Sequence, residues 1–218
     1  SIFSSNLDEF FEVRVAGLQQ QMHAGLEPQD YGADGQDAAE QLAAIDKRVH
    51  ELVAEQYRIL QEEVFPGLAA NGIERVRYEH LTEDERGFVE KFFASSVYPV
   101  LTPLAIDPGH PFPHVHNKSL NIALMIERGE AEQSQQMFAV VQVPSVLDRI
   151  VALPRTEDRL RFLLLEDVIA PHLSDLFGGF RVVGHAVFRV TRNTDLMIDE
   201  DEAEDLLQTI EETLRQRI

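Results

Sequence analysis

Apolar residues recur at spacings of three and four along residues 6–23, at Leu7, Phe10, Phe11, Val15, Leu18 and Met22. That period predicts an amphipathic helix. Asn6 stands at its expected N-cap, with Glu9 three residues on, the spacing of a capping box. A polar loop marked by Gly25, Pro28, Gly32 and Gly35 follows. A longer stripe then runs through residues 36–65, at Leu42, Ile45, Val49, Leu52, Gln56 and Ile59, widened by Leu60 and Val64. Two such helices pack best as an antiparallel hairpin. Pro66-Gly67 and Asn71-Gly72 punctuate the chain, which sets the expected domains at 1–71 and 72–218.

Past that boundary both periods occur. Residues 73–78 suggest a short strand, and Thr82 with Glu85 predicts a capped helix through about Val97. Pro103 to Pro113 reads as a Pro-rich loop. Leu120–Ile126 and Met137–Val143 read as strands, joined by a polar hairpin loop at 129–135. Pro144–Ile150 suggests a turn or short helix, and Phe162–Leu165 a strand. Leu165–Phe177 reads as a helix restarted at Pro171, broken by Gly178-Gly179. Phe180–Thr191 is strand-like, and an acidic helix starts at Asp199. The expected class is α+β: a helical hairpin, then a head with a mainly antiparallel sheet.

Composition narrows the function. The net charge is −19, with 38 acids against 19 Lys and Arg. No basic tract is present, so nucleic-acid binding is not expected. There is no cysteine, which excludes disulfides, thiolate nucleophiles and Cys-ligated zinc. Apolar runs are too short for a transmembrane helix or a signal peptide. The chain opens Ser1-Ile2-Phe3 without methionine and closes in an uncapped helical pattern, so a piece of a longer protein is expected.

Several residue groups invite chemistry. His110, His114 and His116 could form a three-His metal site, or be loop histidines between prolines. The absence of a matching carboxylate or HExxH pattern favours the second, and no metal ligand is assigned. Arg181, Arg189 and Arg192 form the one notable local group of positive charge. They could meet a phosphate or a carboxylate, or pair with acids such as Asp195 and Asp199; pairing is the default. Asp199-Glu200-Asp201-Glu202 lacks the ligand pattern of a calcium loop. Asp8, Glu9 and Arg14 read as caps and intra-helix pairs. No Walker A sequence, kinase Gly-rich loop or Ser/His/Asp constellation is found.

Three segments carry a family resemblance: Ser4-Ser5-Asn6-Leu7-Asp8-Glu9-Phe10-Phe11-Glu12-Val13-Arg14, Pro111-Phe112-Pro113-His114-Val115-His116-Asn117-Lys118-Ser119-Leu120-Asn121, and Phe188-Arg189-Val190-Thr191-Arg192-Asn193-Thr194-Asp195-Leu196. In this order they resemble the front portion of the type 1 polyphosphate kinases. The resemblance implies a reversible transfer of the terminal phosphoryl group of ATP to polyphosphate, through a phosphohistidine on C-terminal domains outside this chain. It implies magnesium held mainly by those domains, dimer contacts through the head, and a cytoplasmic location, with peripheral membrane association left open. It implies that Asn6 contacts ATP, which is compatible with a cap. No catalytic residue is expected in this chain, and the chain alone is expected to be inactive. Polyphosphate is a polyanion, so its path is expected to be lined mostly by residues elsewhere. The alternative reading is a non-catalytic acidic interaction and dimerisation module.

Overall fold

The computed structural model describes residues 2–23, 36–106, 115–128, 135–155, 159–191 and 200–215. They fall into two compact units, one reaching Gly67 and one running from Leu68 through Val190 with the C-terminal helix.

In the first unit α1 (Ile2–Phe10) and α2 (Ala16–His23) are joined by a π-helical turn, Phe11–Val15, into one continuous run. The helix starts ahead of Asn6, so Asn6 is not a cap: it lies in the helix interior. Phe3 stands four residues before Leu7 and extends the half-buried stripe upstream. Packing of that stripe overrides the capping preference of asparagine. The π turn has its own cause in the sequence. Leu7, Phe11 and Val15 recur at spacings of four, each step running ahead of a 3.6-residue turn by about 40°. A wider turn absorbs the excess and delivers Val15 and Leu18 to the interior, while Phe10 and Met22 stay exposed.

A capping box starts α3 (Ala38–Ile59): Glu40 N–H donates to Asp37 Oδ1 at 2.8 Å, and Asp37 N–H to Glu40 Oε2 at 3.2 Å. Contrary to expectation, Pro66-Gly67 does not end this helix. It passes through a π turn, Leu60–Val64, into α4 (Phe65–Ala70). There Phe65 N–H bonds Leu60 O, five residues back, and the widened turn makes room for the ring of Pro66. The stop comes at Gly72, whose φ of 79° is one glycine adopts freely. The two helical runs are antiparallel. Arg14 Nη2 donates to Gln41 Oε1 at 2.7 Å and Gln56 Nε2 to Ser4 Oγ at 2.8 Å, so the later residue of each run faces the earlier residue of the other. Arg14 thus serves the hairpin rather than an intra-helix pair.

The head holds two sheets rather than one. In the smaller, β1 (Ile73–Arg75) pairs parallel with β6 (Leu160–Leu164), and β6 pairs antiparallel with β5 (Ile150–Ala152). The larger runs β2 (Pro103–Ile106), β4 (Gln135–Gln142), β3 (Leu120–Arg128), β7 (Arg181–Arg189), antiparallel throughout. Strand β2 corrects the loop expected from Pro103: a proline is tolerated as the first residue of an edge strand, and Leu104–Ile106 then pair with β4.

The expected cap on α5 (Glu83–Phe92) is present as a Thr82–Glu85 box. The helix continues through a π turn, Phe93–Val97, ahead of Pro99, the same arrangement as at Pro66. Next come α6 (Leu165–Ile169) and α7 (Leu173–Leu176), separated by a 3-10 turn containing Pro171.

Strand β3 is buried on both faces. Ile122, Leu124 and Ile126 meet Val89, Val97, Leu163, Ile169 and their neighbours on one side. On the other, Ala123 and Met125 meet Ile210 and Leu214 of α8 (Glu200–Arg215). The final helix therefore buries its apolar face within this chain. Among the described residues no helix is long and apolar enough to cross a membrane.

Candidate functional site

The three family-like segments fall into two places. The first lies on the hairpin. Asn6 is exposed on α1, next to the exposed Ser5 and ahead of the π turn. Among the described residues no hydrogen bond ties its side chain to Glu9. The amide is therefore presented to solvent by a helix that does not need it for its own start.

The other two segments meet in the head, in their described parts. Register places Leu120 opposite Arg189 and Asn121 opposite Phe188 across β3 and β7. Just before β3 the chain turns through Asn117-Lys118, with Ser119 N–H donating to His116 O at 3.1 Å. Lys118 has φ 60°, the left-handed region that a side chain disfavours and glycine would normally fill. Surrounding bonds hold it there. Lys118 N–H donates to Val190 O at 2.8 Å, and Ser119 Oγ donates to His116 O at 2.7 Å. The buried Asn121 Nδ2 donates to Ser119 O at 2.9 Å and to Ser119 Oγ at 3.0 Å.

Beside this turn is a cavity of about 660 Å³. His116, Lys118, Arg189 and Arg149 line it, with Gln142 and Ser145, over apolar ground from Leu147 and Leu165. Among the described residues no carboxylate lines it. Arg149 is held from behind by the buried Glu166, through Nη2–Oε1 at 2.5 Å and Nε–Oε2 at 3.2 Å. The bidentate geometry fixes the guanidinium plane.

The arginine group expected near β7 is divided. Arg181 stands at the far end of the strand from Arg189 and pairs with Glu127, while Arg192 lies outside the described residues. His110 and His114 also lie outside them; His116 belongs to the cavity. Sequence reasoning singled out neither Lys118 nor Arg149. Lys118 sits in an unremarkable Asn-Lys turn, and Arg149 comes from the turn after β4, distant in sequence from both segments.

Two family models match this chain. The polyphosphate kinase N-terminal domain matches residues 1–76 and the polyphosphate kinase middle domain matches residues 84–218. A polyphosphate kinase of Bacillus anthracis is 45% identical over 219 residues, covering 100% of this chain and 31% of that protein. One of Halalkalibacterium halodurans is 45% identical over 217 residues, covering 100% and 30%. Among solved structures, the polyphosphate kinase from Porphyromonas gingivalis superposes with a TM-score of 0.79 at 26% identity, over 96% of this chain and 32% of that one. The chain thus spans about three-tenths of the length of the curated relatives it matches.

Proposed function

Because this chain belongs to the polyphosphate kinase family, we propose that it is the nucleotide-contacting front part of an enzyme that reversibly moves the terminal phosphoryl group of ATP onto polyphosphate. Coverage carries this reading: an N-terminal and a middle domain match follow each other along the chain, and the chain spans only about three-tenths of its relatives' length.

In this assignment a histidine outside the chain forms a P–N bond as the P–O bond to ADP breaks, then returns the phosphoryl group to the polyphosphate end. Imidazole suits both steps, as nucleophile and as leaving group. Magnesium would neutralise the transferring phosphates. Its ligands are assigned, as part of the same proposal, mainly to the domains outside this chain. Asn6 is assigned a contact to ATP, supported by its exposed amide within the family-like segment. A domain boundary near residue 71 and oligomer contacts through the head are part of the same proposal. A cytoplasmic location follows from it.

The test is activity. The longer protein carrying this chain is expected to convert ATP and magnesium into acid-stable polyphosphate and to run the reaction backwards with excess ADP. The 218-residue chain alone is expected to do neither. A longer protein with no such turnover, or robust turnover by the chain alone, overturns the assignment.

A further inference from the structure

Two of the family-like segments converge on the cavity at Lys118 and Arg189, yet the nucleotide contact assigned to Asn6 uses neither. What this cavity binds can be argued from charge, geometry and backbone conformation. The chain carries a net charge of −19, yet Lys118, Arg149 and Arg189 line this pocket and no carboxylate among the described residues does, Glu166 reaching Arg149 from behind. Such a concentration of cations over low-dielectric walls attracts anions. Gln142 and Ser145 add neutral donors suited to phosphate oxygens.

The site is also built rigidly. Arg149 is oriented by the buried Glu166, and the turn carrying Lys118 is fixed by backbone and side-chain bonds to Val190, His116 and Asn121. A lysine in the left-handed region costs conformational energy that a glycine there would avoid. Turn geometry alone gives no reason for a lysine at this position; a charge needed at the cavity does.

We propose that this cavity is a phosphate-chain site, binding an oligophosphate either as inorganic polyphosphate or as the tail of a nucleotide. The preference for a multivalent anion follows from the lining. The choice of oligophosphate rests on the polyphosphate kinase reading.

Calorimetric titration of the 218-residue chain with sodium tripolyphosphate, MgATP and orthophosphate tests this, each at low and high salt. Tripolyphosphate is expected to bind more tightly than orthophosphate and to weaken as salt rises. Lys118→Gly and Arg189→Gln are each expected to weaken it about tenfold or more, the scale of one lost charge-assisted hydrogen bond. Lys118→Gly should keep or raise the unfolding temperature, because glycine relieves the turn. Tighter binding of tripolyphosphate than of MgATP identifies the polymer as the ligand, and the reverse identifies a nucleotide tail. No binding, binding indifferent to both variants, or binding lost only together with the fold overturns the site. Failure here leaves the turnover of the longer protein untouched, so the two proposals fall separately.

Discussion

The hairpin and the head are stabilised in different ways. Up to Gly67 the buried apolar residues among those described are Val15, Ala16 and Leu18. The stripe of α3 is half-buried from Leu42 to Gln56 and exposed at Ile59, with no fully buried residue. Its ion pairs are local and exposed: Arg58 reaches Glu55, Glu62 and Glu63, and Arg48 reaches Glu51. The head instead encloses β3 between two apolar clusters and joins distant segments through pairs with buried members, Arg161–Glu85 and Arg149–Glu166. One region owes its order largely to helix propensity and a thin seam; the other owes it to tertiary burial. The element proposed to contact the nucleotide comes from the thinly packed region, as local-stability arguments lead one to expect.

The largest effect expected from breaking this contrast is in the head. Arg161→Ala leaves the carboxylate of Glu85, 2% exposed, without its ion partner. Removing one member of a buried pair costs about 3–5 kcal/mol. Chemical denaturation followed through β3 and β4 should report that loss, and a change well under 1 kcal/mol would mean the pair behaves as a surface one. Leu18→Ala comes next. It empties the seam of the hairpin at about 2–5 kcal/mol. Hydrogen exchange should then lose protection in residues 2–23 and 38–64 while β3 and β4 keep theirs. Equal loss in both regions would indicate a single cooperative core.

A smaller effect is expected at high pH. Burial, together with its hydrogen bond to Glu90, raises the pKa of Tyr78 above the ordinary tyrosine value. The folded state then holds this proton more tightly than the unfolded chain. The resulting stability is complete below about pH 10, the unperturbed value, and is lost as pH rises through the folded value. Tyr78→Phe should flatten that alkaline decline in unfolding midpoint; an identical decline in the variant would place its origin elsewhere. The smallest effect belongs to Arg58→Ala. Its partners are exposed carboxylates of the same helical run, so the midpoint should not move measurably, and a clear drop would show the hairpin to be held by charge rather than by its seam.

What the sequence disclosed follows the same division. Local signals were legible: the Thr82–Glu85 box, the apolar runs of β3 and β4, the restart at Pro171 and the stripe of α3. Irregular helix turns and features set by distant contacts were not. The π turns let helices run past Pro66 and towards Pro99, so proline misled as a stop signal. Packing moved the helix start ahead of Asn6 and cancelled its capping role. Of the site, the segments were visible but their convergence was not, because it depends on the register of β3 against β7. The left-handed Lys118 is fixed by a bond to Val190, which no local propensity encodes.

That Asn6 lies within a helix, exposed and not capping it, makes the proposed nucleotide contact directly measurable. Alanine is the better helix former by about 0.5 kcal/mol, so Asn6→Ala should leave stability unchanged or slightly raised. The decisive measurement is the KM for ATP of the longer protein, with and without Asn6→Ala, alongside its unfolding temperature. The account predicts a KM raised about tenfold, the worth of one good hydrogen bond to the nucleotide, with the unfolding temperature preserved. An unchanged KM in a stably folded variant would contradict it.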